Sequence, residues 1–210
     1  KLTDETINLN GVTLYRIEAL KDFCEIKNGD NGGFIESENN LAHEGDAWVS
    51  DDACVYDNAC VYDNARVCGS ASVCGNACVY DNAWVYDNAC VYDNACVCGN
   101  ACVCGNACVS DNAYVSDNAR VSDNSRVCGS ASVCGDAEIS TDADYIVFKN
   151  WWSNCRYFTW TRSNNMWSVG CFYGTSEELI KKAYKDSELS GREYKRIVKY
   201  VEEIRKDNEK

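Results

Sequence analysis

Sixteen cysteines, a single histidine and a run of tryptophans interleaved with arginines are the side chains of this 210-residue sequence with the most chemistry to offer. Thiols two apart, as in Cys96-Val97-Cys98 and Cys102-Val103-Cys104, share one side of a strand and invite metal or redox chemistry. Zinc sites draw on C-x-x-C spacing or on histidine partners, and neither accompanies these pairs. The cysteines also exchange with Tyr, Ser and Arg at equivalent positions of a repeat, which a framework of bridges would not permit. They read as adaptable small surface residues in a reducing cytoplasm, with no metal site. His43 stands alone before the regular repeat and reads as structural or exposed. No catalytic residue and no cofactor are assigned.

The second candidate is a binding set after residue 144: Trp151, Trp152, Arg156, Tyr157, Trp160, Arg162, Trp167 and Tyr173. Aromatic rings mixed with arginine stack on bases and sugars and anchor protein interfaces. The competing reading makes the same rings the core of a small module short of aliphatic residues.

The elements that must position these groups follow from an internal repeat. From Asp46 the sequence runs Asn/Asp/Ser-Ala-x-Val-x-Asp/Gly without insertion, as in Asn58-Ala59-Cys60-Val61-Tyr62-Asp63. Ala and Val two apart face the same way, so each hexad turns one small and one β-branched side chain inward. The Asp-Asn, Gly-Asn and Gly-Ser pairs are turn chemistry that accepts left-handed backbone. Three strands and three turns close a triangular coil of about 18 residues, and coils stack at roughly 4.8 Å. The expected fold is an all-β solenoid of five to six coils over residues 46–144, with an N-terminal β cap over 1–45 and a C-terminal ββαα module over 145–210.

Stacking residue i on i+18 sorts the outward side chains into columns. Trp48, Arg66 and Trp84 form one, suited to cation–π stacking and a candidate oligomer contact. Cys60, Cys78 and Cys96 form another, close enough for oxidation to cross-link coils. Asp alternates with Gly at one corner (Asp51, Gly69, Asp87, Gly105, Asp123), which spaces like charges apart; single carboxylates fall short of a calcium site.

At the ends, Asn10-Gly11 within Ile7–Tyr15 reads as a hairpin turn. Arg156–Thr161 and Met166–Phe172 read as two strands. Two helices follow, opened by Thr175-Ser176-Glu177-Glu178 and by Ser190-Gly191-Arg192-Glu193, the second carrying the stripe Tyr194, Ile197, Val198, Val201 and Ile204. The net charge of −13 is uneven: residues 1–45 carry 4 basic and 9 acidic groups, 46–144 carry 3 and 15, and 145–210 carry 13 and 9. The acidic repeat excludes duplex nucleic acid along it. No apolar run reaches the roughly 20 residues of a membrane span, and Lys1–Asn10 lacks the apolar core of a signal peptide.

The spacing of Val55 before Ala59 and Val61 before Ala65 resembles the hexapeptide-repeat superfamily, which implies a left-handed parallel β-helix and suggests a homotrimer. Gly32-Gly33-Phe34-Ile35-Glu36-Ser37, Asn40-Leu41 and Glu44–Val49 resemble the opening segment of uncharacterised hexapeptide-repeat proteins of enterobacteria, prophages and phages, with Phe34 where that resemblance expects Trp. It implies a bacterial host cell. The expected function is a non-enzymatic, phage-like scaffold presenting a C-terminal binding module to a host or phage protein. One alternative is a counter-defence protein sequestering a small nucleotide-like signal. Another is a hexapeptide-repeat acyltransferase, although such enzymes break the coil with a loop and use a histidine base.

Overall fold

The computed structural model describes residues 1–152 and 155–208. It opens with an antiparallel meander of β1 (Leu2–Leu9), β2 (Val12–Glu18) and β3 (Asn31–Ile35). Asn10 and Gly11, both at positive φ, make the expected turn between β1 and β2. From there a two-residue strand recurs every six residues, from β4 (Trp48–Val49) and β5 (Cys54–Val55) to β19 (Glu138–Ile139), sixteen among the described residues. These strands form three parallel ladders in the register i to i+18, as Trp84 on Cys102 and Cys96 on Tyr114. The expected solenoid of about six coils is what the chain forms.

The solenoid begins earlier than the regular repeat. β3 pairs antiparallel with β2 on one edge and parallel with β5 on the other, setting Phe34 against Cys54. Leu41 bridges to Val61 and Trp48 pairs with Arg66, so residues 31–49 supply all three sides of a first coil. Asn40, buried where that coil turns, donates its amide to Asp57 O (3.0 Å) and Ala59 O (2.9 Å) and so mimics a strand.

Inside, alanine and valine fill the prism, and almost every one from Val49 to Val133 is fully buried, with Ile139 closing the column. Between Val49 and Val133 nothing larger enters, because each coil must repeat the cross-section of the one below it. Ser125, the one departure from alanine, is also fully buried and donates its hydroxyl to Ser122 O (2.6 Å).

The corners do more than turn the chain. Asp51, Asp57, Asp63 and their counterparts sit at φ near +58°, alternating with glycines near +70°. From Asp51 to Asp117 each Asp carboxylate at a corner accepts the backbone N–H of the corner residue one coil on. Gly69 donates to Asp51 (3.0 Å), Gly105 to Asp87 (3.1 Å) and Gly129 to Asp111 (2.8 Å). Where Asp follows Asp, as Asp81 on Asp63 and Asp111 on Asp93, the contact lengthens to 3.4 Å. Charge spacing is thus joined by a local reason for the alternation: glycine lets the amide approach. Beside the corners run ladders of asparagine amides, such as Asn64 to Asn82 to Asn100 to Asn118, at 3.1–3.3 Å.

After the last coil the chain builds β20 (Tyr145–Lys149), β21 (Tyr157–Thr161), β22 (Met166–Val169) and β23 (Phe172–Gly174), then α1 (Ser176–Asp186) and α2 (Glu188–Asn208). The expected two strands are therefore four. Gly170 at φ +58° splits the second, and Tyr145–Lys149 pairs with the first as soon as the coil ends. The first helix starts at its expected capping box, with Thr175 accepting from Glu178 N–H at 3.3 Å. The second starts three residues before the expected one. Ser187 Oγ accepts the Ser190 N–H (3.0 Å), and Gly191 lies within the helix, where any side chain would strike the Tyr184 ring.

A Cβ on Gly105 would meet Asp123 N at 2.8 Å, whereas one on Gly129 meets nothing within 4 Å. Both glycines hold positive φ, which costs alanine about 1 kcal/mol. Gly129→Ala is therefore expected to lower stability by about 1 kcal/mol and Gly105→Ala by about 2–3 kcal/mol, read from urea midpoints; equal losses would show that the corner contact carries no weight.

Candidate functional site

The four-stranded sheet has two unlike faces, and this decides the fate of the aromatic set. In β21, Phe158 and Trp160 alternate with Thr159 and Thr161; in β22, Trp167 and Val169 alternate with Ser168. The apolar face packs on α1 and α2 against Leu179, Ala183, Tyr194, Val198 and Val201. Trp160 and Trp167 are buried there, their indole N–H groups donating to Asn165 Oδ1 and Ser176 Oγ, both at 3.1 Å. Trp152 packs on Phe158 and Tyr194. These three rings are core.

The other face lies on the open end of the solenoid. Strands of a last coil present N–H groups that would pair with a further coil. Thr159 Oγ1 accepts from Ser132 N–H (2.8 Å), Ser163 Oγ from Glu138 N–H (2.7 Å) and Asp142 Oδ1 from Arg126 N–H (2.7 Å). Ser168 Oγ donates to Ser132 Oγ (3.0 Å), and the Tyr145 hydroxyl donates to Arg126 O (2.9 Å). Tyr145 and Val147 point down onto the alanine-valine core, while Ile146 and Phe148 join the helices. Residues 145–208 are thus a lid whose side-chain oxygens stand in for a seventh coil.

What remains exposed of the expected binding set falls in two groups. Trp151, 85% exposed, stands edge-on to Trp152, and Arg156 and Tyr157 are exposed nearby along the chain. Lys149 Nζ lies 5.3 Å over the Tyr157 ring, and Tyr200 on α2 meets Phe148 edge-on. Arg162 and Tyr173 stand apart from these. Arg162 N–H bonds to Asp144 O (2.8 Å), and the Tyr173 hydroxyl accepts from Asn164 (3.1 Å) over Gly135. The structure therefore brings Tyr157 together with Lys149 and sets Trp151 beside Trp152, while Tyr200 packs on Phe148; Lys149 and Tyr200 are residues that sequence reasoning passed over because their contacts form only once β20 meets β21 and α2.

The column Trp48, Arg66 and Trp84 also divides. Trp48 is buried, edge-on to Phe23 at 5.5 Å, and the Arg66 guanidinium lies over Phe23 at 6.0 Å. Arg66 keeps its ladder place between the two tryptophans, and Phe23, from the loop after β2, covers the Trp48 ring and lies under the guanidinium. Only Trp84 keeps half its surface free.

On the solenoid faces the cysteines are all free, and among the described residues no three His, Cys, Asp or Glu side chains could hold a metal ion. Cys98 donates to the Tyr114 hydroxyl at 3.0 Å, Arg120 donates to Cys104 Sγ at 3.2 Å, and Tyr62 stacks on Tyr80 at 4.9 Å. Burial pushes the thiols of Cys54, Cys68, Cys90 and Cys96 above their usual value, the opposite of an activated nucleophile. Burial likewise pushes Tyr56 and Tyr62 up to about 12.

A further feature lies at the other end of the prism. The meander and the loop after β2 leave a recess of about 210 Å³ beside the first coil, walled by Phe23, Ile35, Leu41 and Trp48, with His43 on its lining. His43 and Trp48 of this group stood out in the sequence; the hollow comes from how the loop folds over the coil's open end, which no local pattern reports.

A family model described as the YdcK Beta solenoid repeat matches residues 59–75 and 113–129. The two segments begin three full turns apart and so fall on the same faces of the prism. No curated protein matches the chain. Among the described residues no helix is long and apolar enough to cross a membrane.

Two outcomes are expected. Thr159→Val leaves the Ser132 N–H unpaired and costs about 1–3 kcal/mol in thermal or chemical unfolding, while Thr159→Ser restores most of it; equal behaviour of the two would show that water satisfies the edge. In alkali, Tyr56 and Tyr62 hold their protons to about pH 12 when folded but release them near 10 when unfolded. The raised folded value contributes stability that is complete below pH 10 and lost as pH rises to 12. Urea midpoints should fall across that window, with Tyr56→Phe flattening the fall and removing one late step from the 295 nm titration.

Proposed function

We propose that this protein is a non-enzymatic scaffold, a stiff β-solenoid spacer sealed at its C-terminal end and presenting the Trp151, Arg156 and Tyr157 patch to a protein partner. The observation that carries the reading is the unbroken register of the coils from Trp48 to Ile139. Each coil pairs only with its neighbours, and the outer positions vary freely among Cys, Tyr, Ser, Arg and Trp. Acyltransferases of the hexapeptide-repeat kind insert a loop into the coil, and this chain inserts none. The resemblance of Gly32–Val49 to phage and prophage proteins supports a viral or prophage setting, with a host or phage protein as partner.

Exposed aromatic and cationic side chains on a rigid support suit such contact, since little conformational freedom is lost on binding. A single flat face of the prism, about 25 Å long and roughly 10 Å wide by strand spacing, is small for a stable interface of about 800 Å² per partner. The patch at the lid is therefore preferred over the Trp84 face, and a homotrimer would need more than one face per copy.

Quantitative pull-down from bacterial lysate compares the wild-type chain with Trp151→Ala/Tyr157→Ala. A protein retained by the first and lost from the second, at unchanged melting temperature, supports the reading. Identical retention by both removes the patch, and turnover of acyl-coenzyme A that is lost in His43→Ala would replace the scaffold with an enzyme.

A further inference from the structure

We propose that the recess at the N-terminal end of the solenoid is a binding site for a small monocarboxylate of about ten heavy atoms with an apolar body. This rests on observations separate from the patch at the lid. The hollow measures about 210 Å³. Its position is telling. At the far end the lid seats Tyr145 and Val147 on the alanine-valine core and answers the coil's N–H groups one by one. At this end Ile35, Leu41, Ala47 and Trp48 of the first coil face a space that the meander roofs without filling.

Protein interiors close-pack and leave few voids larger than a water molecule. A dry apolar cavity of about 150 Å³ takes up benzene, so this one suits a body somewhat larger, such as a medium-length alkyl chain. The walls are held in place before any ligand arrives. Phe23 stands edge-on to Trp48 under the Arg66 guanidinium, and Phe23 and Ile26 exchange backbone hydrogen bonds at 2.8 and 3.0 Å. Asp22 and Asp30 accept the N–H groups of Asn28 and Lys27 and fix the loop that carries Phe23.

The ionisable residues on the lining are Lys1, Glu18, Lys21, Glu38 and His43. Glu18 is paired with Lys1 at 2.9 Å, which leaves Lys21 and His43, with Glu38, as the groups facing a ligand's head. Lys21 has no ion-pair partner closer than 4 Å among the described pairs and is exposed. A carboxylate at the mouth meets Lys21 and His43 while its tail enters the hollow. An apolar site with few polar groups at one side is the usual form of a small-molecule pocket.

Octanoate is the probe, with 1-octanol as the same body without charge. Titration calorimetry of the full chain should give one octanoate per chain, and amide spectra should shift at Leu41, Ala42 and Ala47. Ala42→Trp, which fills the recess, should abolish binding, and Lys21→Glu should weaken octanoate at least fivefold while leaving 1-octanol unchanged. Absence of heat and of amide shifts at millimolar octanoate overturns the site, whatever the variants do. Octanoate binding that survives Ala42→Trp places it elsewhere, and equal affinity for 1-octanol overturns the carboxylate.

Discussion

Every coil of this molecule is held by amide groups that it cannot satisfy itself. Cys60 N–H donates to Ala77 O, Cys78 N–H to Ala95 O and Cys96 N–H to Ala113 O, and the same step of 17 residues recurs on all three faces. The bonds join each coil only to its neighbours along the stack, so the interior is saturated and the two ends are not. Corners, ladders and caps are consequences of that arrangement. The corner residue must turn left-handed so that the next strand lies over the last, and its carboxylate or missing Cβ settles how closely the following amide approaches. The asparagine ladders use the same step with side-chain amides. In Ala and Val the chain has side chains small and stiff enough to repeat one cross-section without strain.

The two ends answer the constraint by different means, which accounts for their different surfaces. At the C-terminal end the incoming bonds are met by hydroxyls and a carboxylate from a sheet laid across the coil, a face of Thr and Ser seated on polar edges. That leaves the aromatic face of the same sheet to be covered by the helices. The tryptophans that look like a binding set in sequence are mostly there for that cover. At the N-terminal end the coil edge continues into an antiparallel meander on one face only, through β3, so the backbone is paired there but the core is roofed less completely. A lid made of side chains fits the end it was built for; a lid made of strand extension leaves room.

The solenoid was legible from the sequence because its information is local and repeated: six residues specify the inward pair, the corner and the register, and each neighbour confirms the last. The first coil was not, because Phe34, Leu41 and Trp48 satisfy the same geometry without the hexad spacing, Asn40 replacing a strand with its side chain. In the lid the alternation of Phe158, Thr159, Trp160 and Thr161 was present to be read, yet nothing local says that the threonine face meets a solenoid end and not water. Trp48 keeps its ladder place beside Arg66, but its ring is covered for a related reason. Its partner, Phe23, arrives from a loop with no periodicity at all. The capping box at Ser190 was a true pattern in the wrong place, since Ser187 reaches the Ser190 amide first and Gly191 is needed for the approach of Tyr184.

A stack whose coils touch only their neighbours has no central point at which strain could be stored or a pocket shaped. Its stability is approximately a sum of coil and interface contributions, so an outer residue in the middle exchanges with little effect on the rest. Such exchange is visible in the columns, where Cys96, Tyr114 and Ser132 succeed one another, their differing polarity absorbed by a surface that is otherwise flat. The ends are the only places where unlike elements meet, where loops of irregular length are required, and where apolar core comes close to solvent. Chemical individuality collects there by geometry, in the Trp151 patch over one end and the Phe23–Trp48 recess at the other. The acidic corners between them keep the shaft solvated and discourage lengthwise association of two copies, because each edge presents carboxylates to the other. The shaft thereby holds two chemically distinct ends at a fixed separation, a task for which an unbroken repeat is suited and a loop-interrupted one is not.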